Sequence, residues 1–399
     1  MHFLYNISIR LYVVAIHIAS LFNTKAKLWV KGRKNIFDKL VEATKGEQNI
    51  VWFHCASLGE FEQGKPIIAS YKQKYSSHRI LLTFFSPSGF EIRKNYNGVD
   101  WIFYLPADTK ANAKQFINSV KPIKAIFIKY EFWFNYMAEC KKQNIPFYSV
   151  SSIFRNEQIF FKNKWFARHL QNVTHFFVQD KTSADLLQSI GLTNYTISGD
   201  SRFDSVLTTT RNPKSFPLIE QFCKTKPTII CGSTWPKDEV LLSQFIKENP
   251  QYNFIIAPHE MRHIAQLQKQ TNAQLFSKAN TENINSNNVL IIDSIGILSN
   301  IYQYGNTAYI GGGFGVGIHN ILEAVAFGLP VIFGPNYQKF NEATELINQK
   351  GAISISNYKE LTAAINHFRT FDKSIAINYI QENSGATTKM GDFPRESPT

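Results

Sequence analysis

Residues 49–75 read NIVWFHCASLGEFEQGKPIIASYKQKY. The opening NIVWFHC is an apolar, aromatic run of strand length, and IIASYKQKY has helical spacing. Strand, short connection and helix in that order make the repeating unit of a parallel sheet covered by helices. Within the connection, Gly59 to Lys65 fits G-x-x-x-x-G-K, the opening of an ATP-binding P-loop. Such a loop works through exposed backbone N–H groups and a Ser or Thr hydroxyl on Mg²⁺. Pro66 stands where that hydroxyl belongs and supplies no N–H either. Glu60 and Glu62 would repel a phosphate held there. The stretch is therefore a β–loop–α unit with another purpose, and Glu60 is its most chemical residue. Placed in a turn just beyond a strand, a carboxylate can take the proton of an attacking substrate hydroxyl. The competing reading is a surface Glu favoured by the helix dipole.

The same alternation extends in both directions. RILLTFF, DWIFYLP, KAIFIKY, PFYSVSS, HFFVQD and YTISGD read as further strands, separated by stretches such as TKANAKQFINSV with helical spacing. TTTRNPKSFP, residues 208–217, is polar and carries two prolines, as a linker would. Beyond it PTIICGS, NFIIAPH, NVLIID, TAYIGGG and LPVIFGP restart the pattern. The expected organisation is an N-terminal segment 1–35, an α/β domain 36–207, a linker 208–219, a second α/β domain 220–387 and a disordered tail 388–399. Ligands of open α/β sheets gather beyond the carboxyl ends of strands, so function is expected in a cleft between the two halves.

At 399 residues, with 44% hydrophobic and 18% charged side chains, the chain is globular in composition and long enough for two cores. Its formal net charge of +13 suits an anionic partner: a nucleic acid, acidic lipid or phosphorylated substrate. The basic residues are spread along the chain without a nucleic-acid motif, so no nucleic-acid partner is expected. Cys55, Cys140, Cys223 and Cys231 lack metal-ligand spacing and read as reduced, buried thiols. The histidines are equally scattered, so neither a metal nor a cofactor is expected.

Phe3 to Phe22 is mostly apolar but carries Asn6, Arg10 and His17. Its uninterrupted core, Leu11 to Ile16, is far shorter than the ~20 residues of a spanning helix. Lys25, Lys27, Lys31, Arg33 and Lys34 follow, with Trp29 among them. An apolar helix followed by cations suits an anchor at an anionic membrane surface; the alternative is a helix packed on its own domain.

In the second half, YIGGGFGVGIHNILEAVAFGLPVIFGP (309–335) reads as strand, glycine-rich loop and a helix beginning near Asn320. That order would let backbone N–H groups and a helix start hold a phosphate. The dinucleotide spacing G-x-G-x-x-G cannot be laid on these glycines, which weakens a dehydrogenase reading. Glu323 could accept hydrogen bonds from ribose hydroxyls. CGSTWPKDE offers Gly232, Ser233 and Thr234 ahead of a helix, and APHEMR places His259 and Arg262 near the presumed phosphate. Each alone suits capping or turn chemistry; together they describe a nucleotide pocket.

The segments VWFHCASLGEFEQGKPII, FFSPSGFE, FYLPAD, KYEFWFN, SGDSRFD, CGSTWPKDE, APHE and GGGFGVGIHNILEAVAFGLPVIFGPNYQKF occur in this order. In that order they resemble those of Kdo transferases, over about residues 5–387. That family moves 3-deoxy-D-manno-oct-2-ulosonic acid (Kdo) from CMP-Kdo to a lipid A precursor in lipopolysaccharide biosynthesis. The resemblance implies a GT-B fold, two Rossmann-like domains facing across a cleft, with a membrane-associating N-terminal helix. It also implies metal-independent, inverting transfer, with the acceptor on the first domain, the CMP-sugar on the second, and the enzyme on the cytoplasmic side of the inner membrane. Carried over by position, Glu60 falls on the general base, Glu131 on a second carboxylate and Arg202 on a basic residue that is usually Lys. Pro258 and His259, then Gly296, Ile297 and Leu298, then Asn320, Ile321, Leu322 and Glu323 fall on the CMP-Kdo contacts. Gly232, Ser233, Thr234 and Arg262 are additional candidate donor contacts. His259 and Glu260 stand where many members have Arg then His, and Ile297 replaces a Glu. Two further readings are a UDP-sugar transferase or epimerase of the same architecture, and a non-catalytic nucleotide-sugar-binding membrane protein.

Overall fold

The computed structural model describes residues 2–129, 131–391 and 393. The chain forms two compact units. One takes the residues up to Ser205 and those from Ser384 onward; the other is Val206–Asn383.

The first unit holds β1 (Ile50–Cys55), β2 (Arg79–Phe84), β3 (Trp101–Tyr104), β4 (Lys124–Ile128), β5 (Phe147–Ser152), β6 (His175–Val178) and β7 (Tyr195–Ile197). They pair in the order β3-β2-β1-β4-β5-β6-β7, every pair parallel. Side chains alternate across a strand, and in β1 both faces are apolar because helices cover both. Trp52 enters one core cluster, while Val51, Phe53 and Cys55 enter the other. The buried Trp52 indole donates to Thr83 Oγ1 at 2.8 Å, so its one polar atom is satisfied.

In the second unit β8 (Thr228–Thr234), β9 (Asn253–Pro258), β10 (Gln274–Leu275), β11 (Val289–Ile291), β12 (Thr307–Ile310), β13 (Val331–Phe333) and β14 (Ala352–Ser354) form the order β10-β11-β9-β8-β12-β13-β14, again all parallel. Twelve of these fourteen strands are the runs marked in the sequence. β10 and β14, two and three residues long, are too short for a period to register.

Both sheets reverse their winding at the centre. In the first, β1 lies between β2 and β4; in the second, β8 lies between β9 and β12. Loops leaving the carboxyl ends of such paired central strands diverge and open a crevice. The segments after β1 and β4, and after β8, β9 and β12, border these crevices.

Three helices precede the first sheet: α1 (His2–Ala19), α2 (Thr24–Gly32) and α3 (Ile36–Ala43). α1 is both docked and exposed. Tyr5 Oη donates to the buried Asp108 carboxylate at 2.5 Å, and Asn135 Nδ2 donates to Asn6 Oδ1 at 3.1 Å. Phe3, Leu4, Leu11, Val14 and Ile18 face outward, followed by exposed Leu21 and Phe22. By length and composition α1 is apolar enough to cross a membrane.

Two expected segments look different in the structure. A helix, Ser201–Arg211, runs into the expected linker, and another begins at Pro217. The piece between is pinned, with Lys214 N donating to Asn300 Oδ1 and Phe216 N to Tyr304 Oη, both at 2.8 Å. The expectation of a disordered tail from residue 388 is corrected for residues 388–391 and 393. Ala386–Met390 is helical, and Phe393 is buried in ring contact with Tyr71, Tyr148 and Phe177. Asp204 holds this return, accepting from Gly385 N at 2.6 Å, Thr387 N at 2.7 Å and Thr387 Oγ1 at 2.8 Å. The remaining tail residues, Asp392 and 394–399, lie outside the described residues.

Candidate active site

A fourth helix, α4 (Leu58–Lys74), starts only two residues after β1 ends. The whole of Gly59–Lys65 is therefore helical, and no phosphate loop exists there. Glu60 sits at the third helical position, a correction to its expected place in a turn. Ser57 caps the helix: its N–H donates to Glu60 Oε2 at 2.7 Å and its Oγ lies 3.0 Å from the same oxygen. This reciprocal capping box holds the carboxylate at the start of α4, where the helix dipole favours negative charge. Gly64 serves packing, since a Cβ there would lie 3.0 Å from Ile128 and 3.1 Å from Cys55 Sγ. Pro66 is accommodated inside the helix.

Glu131 follows β4, the strand beside β1. The chain leaves β4 through Lys129, whose φ of 63° turns it off the sheet. The Glu131 carboxyl is pushed up to about 8, by burial first and by the charge of Glu60 second, while the Trp133 indole draws it back down. Glu60 and Glu131 thus sense each other at the carboxyl ends of two adjacent central strands. Arg202 comes from the first turn of Ser201–Arg211, whose Ser201 Oγ donates to Ser151 Oγ at 3.2 Å near the end of β5. Its guanidinium is not a lone cation: Nε donates to Asp200 Oδ2 at 2.7 Å, and Asp200 is largely buried.

Near the two glutamates lie His54, which had no expected role, and Arg33, which was expected among the cations facing a membrane. His54 on β1 is fully buried, with Nε2 facing Glu131 Oε2 at 3.9 Å. Burial pushes its imidazole down to about 3. Arg33, the C-cap of α2, is half-buried among Trp29, Phe85 and Tyr104, 3.8 Å above the Trp29 ring, and donates to the carbonyls of Leu105 and Phe85 at 2.8 Å. Burial lowers it to about 9. The sequence signals were present: a lone His inside an apolar strand, and an Arg one turn after Trp29.

In the second unit, Gly232, Ser233 and Thr234 form an irregular end to β8, where pairing with β9 shifts register and Ser233 takes a φ of 54°. Gly311 fits against it because a Cβ there would meet Ser233 O at 2.3 Å. Part of the glycine-rich loop's N–H set, expected to face a phosphate, is engaged within the fold. Gly311 N donates to Gly232 O, Gly312 N to Asp238 Oδ2, Gly315 N and Gly317 N to Gly312 O, and His319 N to Gly311 O. Gly313, Phe314 and Val316 keep N–H groups outside these bonds, and the helix after the loop, Leu322–Val325, is a single turn.

What the loop does present is an aromatic cluster. Pro258 ends β9, and His259 N donates to Thr234 O at 2.9 Å. The His259 ring stacks on Trp235 at 4.7 Å and lies 4.4 Å from His319. Trp235 Nε1 donates to His319 Nε2 at 2.9 Å. An indole N–H can only donate, so this bond leaves the proton of a neutral His319 on Nδ1. Burial, then His259, lowers His319 to about 4, which keeps it neutral. Asn320 Nδ2 donates to Glu323 Oε1 at 3.1 Å, and Asn320 Oδ1 accepts from Leu322 N at 3.2 Å, while Ile321 and Leu322 are buried beneath them. Leu298 approaches Gly232, whereas Gly296 forms an exposed turn and Ile297 caps the short helix Leu298–Ile301. Arg262 is 72% exposed and ion-paired with Glu260, so it is not gathered into the cluster. A cavity of about 290 Å³ adjoins it, lined by Trp235, Lys237, Asp238, Gly312, Phe314 and Val316 among others.

Residues 31–205 match the family model of 3-deoxy-D-manno-octulosonic-acid transferases. A 3-deoxy-D-manno-octulosonic acid transferase of Aquifex aeolicus is 27% identical over 351 residues, 86% of this chain and 92% of that protein. One of Haemophilus influenzae is 26% identical over 86% of each chain. Among solved structures, a UDP-GlcNAc 2-epimerase of Neisseria meningitidis bound to UDP-GlcNAc aligns with a TM-score of 0.59 at 12% identity, over 85% of this chain and 95% of that one. A glycosyltransferase of Rickettsia africae aligns at 0.56 and 12% identity, over 86% of this chain and 96% of that one. These likenesses speak to fold, and the two parallel sheets with their covering helices are of the GT-B type. By the family domain in residues 31–205 and by similarity over most of its length, this chain resembles the Kdo transferases, a family of glycosyltransferases.

Proposed function

We propose that the chain transfers Kdo from CMP-Kdo to a lipid A precursor, with inversion, at the cytoplasmic face of the inner membrane. The reading assigns the acceptor and the base to the first unit and the donor to the second. The observation that carries it is the pair Glu60 and Glu131 at the switch point of the first sheet, with one carboxyl held up by burial and by the other's charge.

In the proposed reaction, an acceptor hydroxyl oxygen bonds to the anomeric carbon of Kdo as the bond from that carbon to the phosphate oxygen breaks. The hydroxyl proton passes to Glu60, and CMP leaves with the bonding electron pair. The base need not ionise the hydroxyl beforehand, because proton transfer accompanies bond formation. Arg202 offsets charge on the Kdo carboxylate or leaving phosphate, Glu131 is a second carboxyl beside the reacting centre, and the His259–Trp235–His319 cluster, with Asn320 and Glu323, contacts the CMP moiety. Exposed apolar residues of α1, followed by Lys25, Lys27 and Lys31, suit an enzyme whose acceptor stays in a membrane.

Incubation of the purified chain with CMP-Kdo and a lipid A precursor tests the reading. Wild type is expected to release CMP and yield a heavier lipid, and Glu60→Gln nearly none. Absence of transfer by wild type to every lipid A precursor tried would overturn it. A UDP-sugar epimerase remains the second reading, favoured by the fold likeness alone; turnover of UDP-GlcNAc by the same preparation would select it.

A further inference from the structure

His54 is a fully buried imidazole in the middle of an apolar strand, and it sits in no motif role assigned so far. Its Nδ1 lies 3.1 Å from the Thr83 carbonyl oxygen and 2.9 Å from Thr83 Oγ1. A carbonyl oxygen can only accept, so the proton of the neutral ring sits on Nδ1. Nε2 is then a bare lone pair, and among the described residues this buried atom has no hydrogen-bond partner. The nearest polar atom recorded against it is Glu131 Oε2, at 3.9 Å.

An orphaned buried acceptor costs about 1–3 kcal/mol, so the site favours whichever partner can donate to it. A carboxylate cannot donate and its charge opposes the lone pair; a carboxylic acid can. Moving one proton from Glu131 to Nε2 would give an imidazolium–carboxylate pair of the same proton count. Two neighbours oppose that form. Arg33 at the end of α2 disfavours a cation on His54, and Glu60 of α4 disfavours an anion on Glu131. The Cys55 thiol at the end of β1, also packed here, is buried and pushed well above its ordinary value, so it stays neutral.

We infer that His54 is a positioning residue that holds Glu131 as a neutral carboxylic acid by accepting its proton as a hydrogen bond on Nε2. A side-chain shift of about 1 Å closes the gap to hydrogen-bond length. The consequence, which rests on the transferase reading above, is a division of labour. A neutral Glu131 adds no second negative charge beside Glu60 or beside an incoming anionic donor, and its carbonyl oxygen is oriented by the bond its hydroxyl makes.

Infrared difference spectroscopy of the full chain tests this without turnover, so its failure is distinguishable from failure of the transferase reading. At pH 7 the wild type is expected to show the C=O band of a protonated carboxyl that is lost in Glu131→Gln. In His54→Phe, which keeps a ring and removes the acceptor, the midpoint at which that band disappears is expected to move to lower pH. An ionised Glu131 in the wild type at pH 7, or an unmoved midpoint in a folded His54→Phe, would overturn the proposal. Should His54→Phe fail to fold, ¹⁵N spectra of the wild type serve instead. The His54 Nε2 resonance is expected to be that of an unprotonated, hydrogen-bonded nitrogen and to shift as Glu131 titrates. A protonated Nε2, or no shift, would overturn the proposal equally.

Discussion

Ser57 N–H donates to Glu60 Oε2 at 2.7 Å, so the proposed base is also the residue that closes the first turn of α4. One oxygen is committed to the cap, which leaves the other to receive a proton and fixes the carboxylate against rotation. Positioning and helix stability are therefore joined in a single side chain.

That union separates two substitutions. Glu60→Gln keeps an amide oxygen for Ser57 N–H but cannot act as a base; it is expected to melt within a degree or two of wild type while losing nearly all transfer. Glu60→Ala loses both roles and is expected to be less stable as well, by about 1 kcal/mol, the usual worth of a helix cap. Thermal melts beside a CMP-release assay check this. Equal melting of the two variants would show that the cap does not matter, and full activity in either would remove Glu60 from the chemistry.

Glu131 gives the protein a pH dependence of defined sign. Its carboxyl stands at about 8 in the folded chain against an ordinary value of 4.5. A group raised in this way contributes stability that is fully present below its unfolded value and is lost as pH rises through its folded one. Wild type is therefore expected to lose stability to Glu131→Gln progressively between about pH 4.5 and pH 8. Below that window the difference between the two melting temperatures should be flat. Asp108, which burial pushes up to about 6, is present in both proteins and cancels from the comparison. A difference independent of pH would mean that Glu131 is not held up.

The two-sheet architecture was legible because twelve strands are apolar runs of three to seven residues flanked by polar turns. Motif position led equally directly to Glu60 and Glu131. What stayed hidden depends on contacts distant in sequence. NIVWFHC marks a strand, but only its pairing with β2 turns Thr83 towards His54 and leaves Nε2 without a partner. GGGFGVG suggests an anion cradle, yet the N–H groups of Gly311, Gly312, Gly315 and Gly317 are taken by Gly232, Asp238 and the loop itself. Nothing local distinguishes a glycine that frees an N–H for ligand from one that lets two backbones meet. The tail misled for a related reason: a mostly polar stretch carries one Phe, and burial of that one ring decides its place.

Trp235 offers a test of the donor reading that leaves the catalytic carboxylates untouched. Trp235→Phe retains an aromatic face for His259 but removes the only donor to His319 Nε2 in this cluster, freeing the ring to change tautomer or turn. If the cluster holds the CMP moiety, the KM for CMP-Kdo should rise about three- to tenfold, the scale of one lost hydrogen bond, with kcat much less affected. Unchanged KM would place the donor elsewhere.

The exposed face of α1 can be tested without disturbing the fold. Tyr5 and Asn6 dock the helix, whereas Leu11 and Ile18 are 63% and 60% exposed and bear little of that docking. Exchanging both for Glu should therefore leave the melting temperature near wild type. On vesicles containing anionic lipid the same variant should bind at least about tenfold more weakly, since it loses two apolar contacts and gains two repulsive charges. Wild-type binding should weaken with salt as well, because Lys25, Lys27 and Lys31 contribute about 1 kcal/mol each only within a Debye length of the surface. Salt sensitivity without an effect of the double variant would mean that the cations alone bring the chain to lipid. An effect of the double variant at every salt concentration would mean that α1 inserts. Co-sedimentation with uncharged vesicles separates the two: insertion persists there, and a purely electrostatic contact does not.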